Sequence, residues 1–277
     1  MSYTEMPGSP PPKPLYASPP ALAGPRRIEY MRSFHYIFEN PSWMTNTLLI
    51  MAAVVLAGMV PGVGIVLYIP LLGYLFLVVE TLLVNGGQRY PDVDTNQLER
   101  YFYRGLWPFL VNMVLSLAMM VIIVPVFMIG FGLMMAVASA GGEEGAVALV
   151  ILLPLMFIGF MALTVALGIV MMPFILRAGL TQDFGQAFDW AWARDFIRRM
   201  WLDMLLANLF LIAASLLLTF AGLLVFCVGA YFANAIVFLA WAHMLYQIYA
   251  LYLSRGGTPI PLKPEPPTAV MAPPPQW

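Results

Sequence analysis

Apolar residues fall into four long runs, 44–84, 106–140, 146–176 and 202–254, and the short stretches between them hold nearly all of the charge. The first run is interrupted only by Glu80. As one helix it would be about 60 Å long, twice the hydrocarbon core of a bilayer, so it must fold back on itself. Pro61, Gly62, Val63 and Gly64 supply the turn, because proline lacks a backbone donor and glycine accepts left-handed dihedrals. The spacing predicts helices over 44–60 and 65–84, with Asn40 and Pro41 as N-cap and first helical residue and Trp43 at the membrane interface.

The second and third runs are separated by Gly141, Gly142, Glu143, Glu144 and Gly145. Each is too long for one perpendicular span and too short for two spans with a turn, so each reads as one tilted or kinked helix. Pro125, Pro154 and Pro173 are the expected kink sites. The fourth run again requires a hairpin, turning near 227–230. The total is six transmembrane helices.

Three stretches beside these runs are amphipathic. Residues 27–38 place Tyr30, Met31, Phe34, Ile37 and Phe38 at helical spacing, with Arg27, Glu29 and Arg32 on the remaining surface. Residues 94–103 offer Asp94 as a cap, Gln97 three positions on, and an apolar edge of Leu98, Tyr101 and Phe102. In 182–201, Phe184, Phe188, Trp192 and Phe196 recur every fourth residue and Arg194, Arg198 and Arg199 gather toward the end. All three are expected to lie in the headgroup region as interfacial helices.

Composition narrows the class further. Hydrophobic residues make up 61% of the 277 and charged residues 10%, far from the roughly 45 to 50% and about 25% of soluble domains. Lipid must cover the excess, so the bilayer is the first partner. A net charge of -1 excludes the basic surface that nucleic acid requires. The single cysteine, Cys227, excludes an intrachain disulfide and a multi-cysteine metal site.

All 13 Lys and Arg fall in the N-terminal stretch, 85–104, 177–201 and the C-terminal tail. With six helices these four segments share one side. A cation at mid-membrane costs about 2.5 to 3.5 kcal/mol on insertion scales, so the pattern predicts N-in, C-in topology in the cell (inner or plasma) membrane. Residues 1–26 and 256–277 read as disordered Pro-rich tails around a membrane domain at 27–255, since 16 of the 24 prolines lie in 1–25 and 258–277. No apolar core follows a basic start in the first 30 residues, so no cleavable leader is expected.

Polar residues inside membrane helices are the first candidates for chemistry. Glu80, Asn112, Asn208 and Gln247 lie about 6 to 10 Å from the inner helix ends, and His243 is one turn deeper than Gln247. Together they outline an inward-facing polar pocket. The same residues also fit a plainer reading, with Glu80 snorkelling to the interface and the amides bonding between helices. Arg194, Arg198 and Arg199 could contact anionic lipid, or could serve as orientation signals with Asp195 and Arg199 as an i,i+4 pair.

Enzymatic templates do not match. His35 and His243 are too few for a metal cluster, and no His-Glu-x-x-His or Gly-x-Ser-x-Gly occurs. Asp92 to Asn96 resembles the opening of a calcium loop, but Gln97 and Tyr103 stand where glycine and glutamate are needed. The twenty methionines scatter as apolar filler rather than as a copper path. No catalytic residue, metal or cofactor is expected.

Asn40, Pro41, Ser42 and Trp43, the Pro61 to Gly64 turn, Pro70 with Gly73 and Tyr74, Tyr90 to Asp92, and Arg104 to Pro108 together resemble the uncharacterised prokaryotic membrane family called domain of unknown function 4013. The resemblance covers residues 39–111 best. It implies an integral membrane protein and supplies no activity. The leading expectation is therefore a non-enzymatic organiser or regulator at the cytoplasmic leaflet, with a membrane or cytoplasmic protein partner. A transporter or channel for a small solute, using the inward polar pocket, is the alternative.

Overall fold

The computed structural model describes residues 27–59, 63–225 and 228–263. No strand occurs among them. The helices are α1 (Arg32–Glu39), α2 (Trp43–Met59), α3 (Val63–Asn85), α4 (Leu98–Ala140), α5 (Gly142–Thr181), α6 (Phe184–Ala187), α7 (Trp190–Leu223) and α8 (Val228–Ser254), with a 3-10 turn at Thr95–Gln97 before α4. The chain is an all-α multi-pass membrane protein. Five helices, α3, α4, α5, α7 and α8, are long and apolar enough to cross a bilayer. The sixth, α2, has 17 residues, the lower limit for a span, and meets α1 at a bend of 111°.

Residues 60–62, with Pro61 and Gly62 of the expected first turn, lie outside the described residues. α4 and α5 run unbroken through Pro108, Pro125, Pro154 and Pro173. The last hairpin breaks at Leu224, a few residues earlier than 227–230, and its helix resumes at Val228. Phe226 and Cys227 lie outside the described residues. Close approach of the flanking glycines accounts for the earlier break: a Cβ on Gly222 or on Gly229 would strike the other residue's backbone.

Two of the amphipathic stretches are not separate interfacial helices. Residues 98–103 form the first turns of α4, and 190–201 form the first three turns of α7. α4 continues through Gly105 and Pro108, and extending an existing helix costs far less than nucleating a new one. Asp94 does cap as its position suggests, accepting from Asn96 N at 2.9 Å and from Gln97 Nε2 at 2.9 Å.

The core lies at the end of the bundle that carries the arginines. α8 is its axis, buried almost continuously from Leu239 to Tyr252, and Phe76, Val78, Leu82, Tyr36, Tyr90 and Phe196 close around it. There α3 and α4 pack backbone to backbone: a Cβ on Gly73 would strike the Tyr101 carbonyl, and one on Gly105 the Ile69 carbonyl. Gly58, whose spacing from Gly62 could suggest such a contact, has nothing within 4 Å of a Cβ.

The opposite end differs. α4 and α5 have 43 and 40 residues, about 64 and 60 Å of helix against a core of roughly 30 Å. Among the described residues from Asn112 to Met171, only Gly145 is buried. These halves touch chiefly each other, as where Phe127 meets Phe160 at 6.5 Å, and form an apolar arm.

Residues 1–26 and 264–277, most of the expected disordered tails, lie outside the described residues. Residues 256–263 are ordered, against the boundary expected at 255. The Trp192 indole donates to Thr258 O at 2.8 Å, Ile260 N donates to the Tyr249 hydroxyl at 2.7 Å, and Ile260 is fully buried. Buried tyrosine and tryptophan need hydrogen-bond partners, and this segment supplies them.

Candidate functional site

The five residues expected to share one polar pocket are divided among three places. His243 and Gln247 form a latch between α8 and α1. Gln247 Oε1 accepts from Glu29 N at 2.7 Å, and its Nε2 donates to Glu29 O at 3.1 Å and Ser33 Oγ at 3.0 Å. The same amide lies 3.0 Å from His243 Nδ1, and Ser33 Oγ lies 3.2 Å from it. The carboxamide has two N–H groups for the three neighbours Glu29 O, Ser33 Oγ and His243 Nδ1, and the role of Nδ1 toward Ser33 and Gln247 is set by the imidazole tautomer. The Tyr36 ring packs on the imidazole at 4.2 Å, and its hydroxyl donates to Leu239 O at 2.7 Å.

The buried face of α1 is therefore Ser33, Tyr36 and Ile37. Met31 and Phe38, expected on the apolar face, are exposed. Contacts with α8 orient this helix. A cleft of about 300 Å³ beside the latch is lined by Glu29, Arg32, Gln88 and Tyr246.

Glu80 neither snorkels nor joins the latch. It pairs with Arg104 across the α3–α4 contact, with the arginine side chain 4% exposed and the carboxylate 14%. Buried charges persist only when paired, and removing one partner leaves the other desolvated. Arg104 was legible only as a side marker, since its pairing depends on the register set by Gly73 and Gly105.

Asn112 and Asn208 do share a space. A cavity of about 480 Å³ lies between α3, α4, α5, α7 and α8, with Tyr68, Asn112, Asn208, Ser215 and Trp241 among its lining residues. Asn208 Nδ2 donates to Met204 O at 2.9 Å. Pattern reasoning missed Tyr68 and Ser215, whose types are common in apolar helices and carry no signal until the helices meet.

The connections at the basic end are tied by a second set of bonds. Asp92 accepts from Asn40 Nδ2 at 2.9 Å, Asn46 Nδ2 at 3.1 Å and Ser42 Oγ at 3.2 Å, and faces Arg89 at 3.8 Å. Burial pushes its pKa up, but the three hydrogen bonds and the Arg89 charge outweigh that and hold the carboxyl below its ordinary value. Asn40 closes α1, its Oδ1 accepting from Ser42 N at 2.8 Å, while α2 starts three residues later at Trp43.

Of the three arginines read as lipid contacts, Arg199 is engaged. It bonds Asp195 at 2.8 Å and Arg255 O at 2.7 Å, and Arg255 in turn pairs with Asp203 at 2.5 Å. Arg177 pairs with Asp189 at 3.0 Å and lies over the Trp192 ring. Arg194 and Arg198 are exposed, one turn apart on α7, and make no ion pair among the described residues.

A family model described as "Protein of unknown function (DUF4013)" matches residues 56–227, which is 172 of the 277 residues. The chain belongs to that family. The match begins beyond Asn40 to Trp43 and extends well past residue 111, so it includes the whole α4–α5 arm and leaves out α1 and α8. No curated protein and no solved structure matches the chain.

Proposed function

We propose that this member of the DUF4013 family is a non-enzymatic organiser of the cell membrane, with its basic end in the cytoplasm and a protein partner held there. One observation carries the reading. The ionisable and amide groups that a solute path or a proton transfer would use at the basic end are consumed in fixed interhelical bonds: His243 and Gln247 on α1, and Glu80 on Arg104. A transport site must release what it binds, whereas these groups hold helices together. The same end presents Arg194 and Arg198 outward on a rigid helix, and surface arginines on a fixed scaffold suit the recognition of an acidic partner.

The test is cross-linking in intact membranes followed by recovery of the full-length protein. Arg194→Glu combined with Arg198→Glu is expected to lower partner recovery at least fivefold while the melting temperature stays within about 2 °C, as for surface changes away from packed contacts. If the double variant recovers the same partners in the same amounts, the reading fails. Solute flux in proteoliposomes that disappears on Glu80→Ala and Asn208→Ala would install a transporter instead.

A further inference from the structure

We infer that the cavity between α3, α4, α5, α7 and α8 is a binding site for a neutral single-chain lipid whose head carries hydroxyl groups. Its volume of about 480 Å³ falls within the usual range for small-molecule sites. A second cavity of about 180 Å³ shares Ile175, Asn208 and Trp241 with it and continues to Gly168 and Met172, a narrow extension suited to an alkyl chain.

The polar groups in the wall define the head. Among the described residues, the side chains of Tyr68, Asn112, Ser215 and Trp241 make no hydrogen bond, and Asn208 uses only its amide donor. They offer donors and acceptors together: two hydroxyls, a carboxamide, an indole N–H and the Asn208 carbonyl. Polar groups without a hydrogen-bond partner are unfavourable in the apolar part of a membrane. An occupant that both donates and accepts removes that cost.

Absence of charge excludes other heads. No Asp, Glu, Lys or Arg lines the space, so an anionic or cationic head would be desolvated without a partner. The rim includes Leu216, which is 54% exposed on the apolar flank of α7. Entry is therefore sideways, from the bilayer.

Full-length protein in phosphatidylcholine vesicles is incubated with a diazirine-bearing monooleoylglycerol, irradiated, and mapped by mass spectrometry. Saturable labelling is expected on the α7 peptide that contains Asn208 and Ser215. Unlabelled monooleoylglycerol is expected to compete at least tenfold better than sodium oleate or hexadecane. Asn112→Leu and Asn208→Leu are each expected to lower labelling at least fivefold, and Tyr68→Phe with Ser215→Ala serves as a gentler pair should either leucine variant fail to fold. Equal competition by oleate or hexadecane overturns the inference, as does labelling spread along the α4–α5 arm. A cavity holding only water is the third outcome: no saturable labelling, with a raised melting temperature in Asn208→Leu, and it too overturns the inference.

Discussion

Gly105 and Gly132 belong to the same helix, α4, and face opposite circumstances. At Gly105 the backbone of α3 is so near that no Cβ fits, whereas at Gly132 a Cβ would meet nothing within 4 Å. The contrast extends over the whole molecule. At the basic end, buried side chains and a hydrogen-bonded latch fix α1, α2, α3 and α7 against α8, and an ion pair holds α4 to α3. Beyond Asn112, two helices run on with only each other for company. The arm is the more apolar in sequence, with a mean hydropathy of 2.7 in α4 and α5 against 1.5 in α8, so apolarity alone does not produce a core. In lipid there is no hydrophobic force between helices, and association comes from close packing and from polar groups that have no other partner. The basic end has both, and the arm has neither.

The largest test of that contrast is at the glycines. Gly105→Leu should cost about 3 kcal/mol or more, because backbone cannot yield as a side chain can. Gly132→Leu should be silent, and thermal unfolding in detergent reads both. A collapse caused by Gly132→Leu would show that the arm is packed after all.

Removing half of the buried ion pair comes next. Glu80→Ala should destabilise by about 3 to 5 kcal/mol by leaving Arg104 desolvated, and Glu80→Leu with Arg104→Met should recover much of the loss. If the single variant unfolds at the wild-type temperature, the pair contributes nothing to the α3–α4 contact. A similar comparison holds for aromatics. Phe76→Ala, in the core, should cost about 3 to 5 kcal/mol, and Phe157→Ala, 64% exposed on the arm, less than about 0.5 kcal/mol.

Smaller effects sharpen the picture at the latch and the connections. Gln247→Leu leaves Glu29 N and Ser33 without their partner and should cost about 1 to 3 kcal/mol, with faster proteolysis ahead of α2 as the readout. Asp92 gives a pH signature. Its folded pKa lies below the ordinary value, near 3.9, so its stabilisation is complete above that pH and is lost as pH falls through the folded value. Melting temperature should therefore drop below about pH 4 more steeply in wild type than in Asp92→Asn. Parallel curves would remove Asp92 from the set of groups that tie the connections.

Helices were readable where the signal is local. The bounds expected for the first two, 44–60 and 65–84, agree with Trp43–Met59 and Val63–Asn85 to within two residues. The capping role of Asp94 and the Asp195–Arg199 pair were also visible, because each depends on residues three or four apart. Separate interfacial helices were expected where α4 and α7 simply begin, since amphipathic periodicity reports which face is wet and not where a helix stops. The five residues expected in one pocket stand apart for a related reason. Depth from the helix end can be counted along a chain, but azimuth relative to other helices cannot, and azimuth sends Glu80 to Arg104, Gln247 to Ser33 and Asn208 to the cavity.

By itself the sequence determined that the chain enters a membrane, how many apolar helices it forms, and that its cations gather at alternate connections. Length, apolarity and charge are properties of segments, and each segment answers to the bilayer alone. Tertiary structure alone decided which polar groups meet, that α1 meets α2 at a bend of 111° and packs on α8, and that the middle of α4 and α5 stays uncovered. Lipid and protein interior are alike in polarity, so hydropathy cannot tell one from the other. Only the fit of small residues and the pairing of buried polar groups separates core from arm.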